Sequence, residues 1–380
     1  MSKSPNQTEI STTSSSKSDD SSLTKEKHFS FKVVLKGQPK SFKIITVFLI
    51  IVIIFILVGQ HINLPYYALK PGGVFPANKL VQIKGYTNKL HGGIDIVYVY
   101  ESQENLIEYP IDKLSSKISI YPEQDIVGTP TGNLTNSQAD AQDTWYSQNS
   151  QISAEVAALK ALHYKLERNG QGSLIGWVDP TSPAGKFITA GDTILQINNT
   201  KIKNSAELAS VIESYSAGTK VTVTFKTPTN KIITRQTVLA KLFTNTSKYG
   251  YLGVGTMPNY KIPLNFQFQD TIGGSPIGGP SAGLAYCLTI IDEISGGNLL
   301  RGINIAATGT ISTNGQIGPI GGLVQKTYAV VASGAQIFFV PDGQSSTTYK
   351  SIYQIAGSKL KIYKVSNLSQ VFHDLNLNLN

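Results

Sequence analysis

The chain opens on polar positions with almost nothing apolar to pack: residues 14–16 are all serine and residues 19–22 read DDSS, so the first 28 residues are expected to be disordered. Residues 44–58 then read IITVFLIIVIIFILV, broken only by Thr46, before the pattern softens through Gly59, Gln60 and His61 to Leu64. A helix over 44–64 reaches roughly 30 Å at about 1.5 Å per residue, which matches the hydrocarbon core of a bilayer. The pattern predicts a retained transmembrane helix. A cleaved signal peptide fits less well, since no small-x-small site follows Val58. A core helix would have to be enclosed on every side.

Beyond the span the periodicity changes twice. Residues 79–121 alternate apolar and polar positions, as in Ile94-Asp95-Ile96-Val97-Tyr98, which is the two-residue period of strands. From Thr135 to Arg168 the apolar positions Val156, Leu159, Leu162 and Leu166 recur every three to four residues, predicting a helix that ends near Asn169-Gly170. Residues 172–242 read as a strand, a Pro-rich turn, a short helix, an Ala-Gly-Asp turn, a second strand, a helix from Ser205 and a closing hairpin. The expected organisation is α+β and multidomain: a tail over 1–43, a span over 44–64, a β-rich and helical region over 65–168, a compact unit over 169–242 and a last α/β domain over 243–380.

Composition narrows the function. With 380 residues, 41% of them apolar, the chain has material for two or three cores, and 34 Gly with 15% charged residues excludes an extended coiled coil. The formal charge of +9 hints at nucleic acid. Eight lysines against four acidic residues lie before the span, however, where they predict a cytoplasmic N-terminus and place everything after Leu64 outside the membrane. The remaining charge is diluted and unclustered, so no nucleic-acid partner is expected. A single cysteine, Cys287, excludes an intramolecular disulfide and reads as a core side chain. The five histidines sit in no triad context and no HExxH pair occurs, so neither metal nor cofactor is expected.

The densest chemical signal begins at residue 273. In IGGSPIGGPSAGLAYCLTIIDEIS a Gly/Pro-rich loop runs into an apolar helix with Ser281 near its N-terminus, where unpaired amides gather. Serine is also a favoured helix cap, and that reading is the simpler one for the loop alone. A nucleotide-binding loop is excluded because no GxxxxGK[ST] occurs. Further on, GPIGGLVQK places Lys326 near the start of a helix among Leu323, Val324, Tyr328 and Ala329. Burial there lowers a lysine's pKa and lets it act as a general base.

GGPSAG at 278–283, ATGTIS at 307–312 and GPIGGLVQK at 318–326 together resemble the Lon-type proteolytic domain. The order SPAGK, AGDTILQIN and ELASVIESY over 182–215 resembles a bacterial PDZ domain. With the span, the chain resembles bacterial membrane-anchored PDZ and Lon-like serine proteases over 44–380. The resemblance implies Ser281 as nucleophile, Lys326 as its base, and Thr308 as the threonine that orients the lysine, although an ordinary strand residue is an equal reading for Thr308. It implies an oxyanion hole from the Ser281 N–H and one from the preceding loop, peptide or unfolded-protein substrates, homo-oligomers, and peptide binding by strand addition near Gly170, Gly172 and Ser173. Two departures stand out. An acidic residue common two positions before the PSAG proline is Gly278 here, and there is no ATPase module, so cleavage is expected to be ATP-independent. The competing function is a membrane-tethered PDZ scaffold with an inactive protease-like domain.

Overall fold

The computed structural model describes residues 39–86, 91–241, 249–297 and 299–375, and the segment expected to be disordered lies outside them. The chain divides into two units, Met1–Val58 and Gly59–Asn380. In the first, helix α1 (Lys40–Gly59) presents Ile44, Phe48 and Ile51 outward. Thr46, the polar residue inside the run, turns its hydroxyl onto the Phe42 carbonyl at 2.8 Å. With a mean hydropathy of 3.1, α1 is long and apolar enough to cross a membrane. It ends at Gly59 rather than Leu64, because glycine is a poor helix former and polar Gln60 and His61 follow it.

Among the described residues the second unit contains two large sheets and five two-stranded ones. Strands β1 (Asn63–Pro76), β2 (Gly93–Asn105) and β3 (Ser119–Pro122) precede the long helix α2 (Asn136–Ala161). The chain then forms β4 (Ser173–Val178), β5 (Thr193–Ile197), helix α3 (Ser205–Glu213), β6 (Lys220–Lys226), β7 (Ile232–Val238) and β8 (Val254–Met257). Helix α4 (Gly283–Ile294), β9 (Asn304–Ala307), α5 (Leu323–Ser333), β10 (Ile337–Pro341), α6 (Ser346–Ala356) and β11 (Lys361–Val365) complete the frame.

The first sheet has the order β11-β10-β9-β2-β1-β3. Its β9, β10 and β11 run parallel, β2 is parallel to β9, and β1 is antiparallel to both of its neighbours. Its strands therefore come from both the 65–168 and the 243–380 segments. Alternation sorts the side chains: Ile94, Ile96, Ile305, Ala307 and Phe339 join one core with Leu284, Leu288 and Ile291 of α4. Val97, Ala306, Phe338 and Val340 face the other way, against Leu323 and Val330 of α5 and Ile352 of α6. Both faces of this sheet are covered, so β9 and β10 at its centre read as nearly continuous apolar runs. Pro71, Gly72 and Gly73 form a bulge inside β1, where the register slips between Pro71 and Val74.

The second sheet is antiparallel, in the order β7-β6-β5-β4-β8. Its core is built on Ile175, Ile194, Ile197, Val223 and Phe225, with Leu208 and Ile212 of α3 one helical turn apart above it. Asn204 caps α3 by accepting the Glu207 N–H at 2.9 Å. The closing strand β8 comes from beyond residue 242, because strand pairing ignores chain distance. Since β4 has β5 on one side and β8 on the other, Gly170, Gly172 and Ser173 lead into an interior strand. Among the described residues the outer strands of this sheet are β7, β8 and the two-residue strand Thr200–Lys201 that pairs with β5.

Helix α2 links the two sheets. Its first turn is fixed by Gln138, whose Oε1 accepts the Thr135 N–H at 2.9 Å. It stops at Ala161, short of the expected Arg168, because His163 takes the left-handed conformation at φ 65°. Helix α4 is enclosed between α2 and the first sheet, so Leu288→Ala removes a fully buried side chain. We expect a cost of about 2–5 kcal/mol, read as an earlier denaturant transition of the detergent-solubilised chain. A transition within about 0.5 kcal/mol of wild type would contradict this packing.

Candidate active site

Residues 278–281 form the loop that leads into α4. No side chain caps that helix. The Ser281 hydroxyl is engaged elsewhere, which removes the capping reading: its Oγ lies 2.6 Å from Nζ of Lys326. The backbone of Ser281 is held separately. Its carbonyl accepts the Gly309 N–H at 2.9 Å and the Thr308 hydroxyl at 3.2 Å.

Lys326 sits one turn into α5, its N–H bonded to the Gly322 carbonyl at 2.9 Å. Gly322 has φ 67°, and an added Cβ would run into Leu69, so glycine is required for this entry into the helix. Leu323 and Val330 anchor α5 to the sheet, and the lysine side chain is carried inward with them to 2% exposure. Burial without a compensating carboxylate pushes its amine down to about 7. Nζ also donates to Thr308 Oγ1 at 3.2 Å. Thr308 is fully buried just past the end of β9, its N–H on the Phe339 carbonyl at 3.0 Å. Ser281, Lys326 and Thr308 are thus brought together from three segments. The threonine ties the amine to the serine backbone, which aims the remaining direction of Nζ at Oγ.

Ser281 and Lys326 border a cavity of about 290 Å³, walled by residues 96–100 of β2 and by Ile272, Pro276 and Ile277, with Thr308 buried behind them. Strand β9 accompanies β2 only as far as Ile96. Past that point the same edge of β2 has no strand partner among the described residues, and it forms the cavity wall. A shallower groove of about 490 Å³, lined by Val324, Tyr328 and Ile355, lies on another face of α5 and contains none of the three.

The remaining chemical residues lie apart. Cys287 is fully buried within α4, where burial pushes its thiol up. None of His61, His91, His163 and His373 lines the cavity, and His28 lies outside the described residues. Among the described residues no group of His, Cys, Asp and Glu is arranged to hold a metal ion. Sequence reasoning passed over Ser150, whose hydroxyl donates to the Pro280 carbonyl at 3.0 Å. It also passed over Asp143, whose carbonyl accepts the Gly279 N–H at 3.3 Å. Nothing in a helix pattern marks such residues, because their partners are far along the chain.

Comparison with known proteins places families on both domains. Residues 269–377 match the model of the Lon protease (S16) C-terminal proteolytic domain, and residues 161–231 match that of the PDZ domain. The chain is 34% identical over 126 residues to Lon protease 2 of Bacillus subtilis, a match covering 33% of this chain and 21% of that protein. It is 33% identical over 101 residues to the Lon protease of Azorhizobium caulinodans, covering 27% of this chain and 11% of that protein. The chain therefore spans only a minor part of these curated relatives. The PDZ domain of the SdrC-like protein from Listeria monocytogenes is 23% identical, covering 24% of this chain and 92% of that one, with a TM-score of 0.21. The chain carries a PDZ domain and a Lon-type (S16) proteolytic domain in a multidomain α+β architecture.

Proposed function

We propose that the chain is a membrane-anchored, ATP-independent serine endopeptidase in which Ser281 is the nucleophile and Lys326 its general base. The observation that carries this reading is the 2.6 Å approach of a buried lysine, held near pKa 7, to the serine hydroxyl. The neutral amine accepts the Oγ proton as Oγ attacks the scissile carbonyl, and the ammonium then protonates the departing amine. Water hydrolyses the acyl-enzyme by the same route in reverse. The oxyanion forms beside the Ser281 N–H. Pro280 has no N–H and that of Gly279 is bonded to Asp143, so the second donor from the preceding loop is assigned to Gly278.

Substrates enter extended. The unpartnered edge of β2 beside the cavity favours a peptide strand, and the sequence has no nucleotide-binding motif with which to unfold a compact one. The PDZ domain presents chain ends through an outer strand of its sheet. Helix α1, preceded by an excess of lysines, anchors the chain with its N-terminus in the cytoplasm and the protease outside the membrane.

Two measurements test the dyad. The full chain in detergent, without nucleotide, is expected to cleave an unstructured protein, and Ser281→Ala or Lys326→Ala to lower the rate by roughly 10³-fold or more. Equal cleavage by all three would favour the inactive scaffold. The second is pH dependence. Only the neutral amine can take a proton, so kcat/KM is expected to rise with pH through a midpoint near 7 and then level off. A profile flat between pH 6 and 9 would contradict lysine as the base.

A further inference from the structure

We propose that Ser150 is a positioning residue for Ser281, and that the helix carrying it is braced by the PDZ sheet; the proposal rests on Ser281 being the nucleophile. Helix α2 holds two consecutive residues of the nucleophile loop. The Asp143 carbonyl accepts the Gly279 N–H at 3.3 Å, and the Ser150 hydroxyl donates to the Pro280 carbonyl at 3.0 Å. Pro280 directly precedes Ser281. Ser150 is buried at 5% exposure, and a Cβ added at Gly283 would come within 2.7 Å of its Oγ. The loop and the start of α4 are therefore seated against this one hydroxyl.

The far side and flank of α2 meet the PDZ sheet. At about 100° per residue, Asp143 and Ser150 share one face, while Trp145 falls about 150° around the helix from them and Asn149 about 110° around, on the flank next to Trp145. Trp145 stacks on Trp177 of β4 with ring centroids 5.8 Å apart. Side chains at Gly176 or Gly255 would collide with its indole, so the two glycines form a seat for it. Asn149 Nδ2 donates to the Thr256 carbonyl of β8 at 3.2 Å. One rigid helix thus joins the strand pair β4 and β8 to the two residues ahead of the nucleophile.

Ser150 touches no reacting atom, so its removal acts on the placement of Ser281 and leaves substrate contacts and the Lys326 amine unchanged. Misplacing a nucleophile by a fraction of an ångström lowers kcat by about 10–100-fold. The full chain in detergent is assayed on a fluorogenic unstructured peptide as wild type, Ser150→Ala, Ser150→Cys and Ser281→Ala. Affinity for a peptide boronate, which forms a tetrahedral adduct on Oγ, is measured for the same variants. Ser150→Cys keeps the side-chain shape with a somewhat larger Sγ and only a weak S–H donor, so it reports on the hydrogen bond even where the alanine variant fails to fold.

The proposal expects kcat and boronate affinity to fall together in both Ser150 variants, with KM within about twofold of wild type and an unmoved pH midpoint. A kcat within about twofold of wild type in Ser150→Cys, or a loss confined to KM, would overturn it while leaving the dyad intact. Wild-type activity in Ser281→Ala would instead overturn the nucleophile assignment itself.

Discussion

A lysine almost sealed from water is the constraint around which the protease domain is arranged. Holding a charged ammonium at the Lys326 position would be costly, and no carboxylate is placed to offset it, so the amine gives up its proton near neutrality. The unfolded lysine titrates at 10.5 and the folded one at about 7. Between those values the unfolded chain binds more protons, so this residue's contribution to stability improves as pH rises through that window. The burial is enforced by the apolar neighbours on α5, whose packing on the sheet leaves the side chain 2% exposed, at the cavity beside Ser281. The same burial that weighs on the fold leaves the amine able to accept a proton near physiological pH, as the proposed dyad requires.

Around that amine the chain places partners drawn from distant segments. The end of β9 delivers Thr308, the loop before α4 delivers Ser281, and the N–H of Gly309 fixes the serine carbonyl. The wall opposite is β2, from the part of the sequence that follows α1. Helix α2 closes the arrangement from outside the segment matched to the Lon family, between the loop that carries Ser281 and the PDZ sheet. Two domains that sequence order sets side by side are in this way built onto a common helix.

Much of this was legible where the signal is local. The apolar run of α1, the paired Leu208 and Ile212 of α3, and the motifs around Ser281 and Lys326 each depend on neighbours within a few turns or on a compact pattern. What escaped depends on pairing at long range. Strand β2 reads as part of a small β-rich region, yet its partner β9 lies some two hundred residues away. Strand β8 follows the expected end of the PDZ-like unit and still completes that sheet. Helix α2 ends at Ala161 because His163 turns left-handed, while Leu162 and Leu166 keep the helical spacing in the sequence. Ser150 looks like any serine in a polar stretch until Pro280 is laid against it.

The protonation state of Lys326 is the central claim, and it can be observed without an assay. With lysine labelled at ¹³Cε and the resonance assigned by its loss in Lys326→Arg, an NMR titration of the detergent-solubilised chain reads the amine directly. The structure predicts a midpoint near 7, well below the other lysines. A Lys326 signal that keeps the shift of a charged amine until about pH 10 would contradict it.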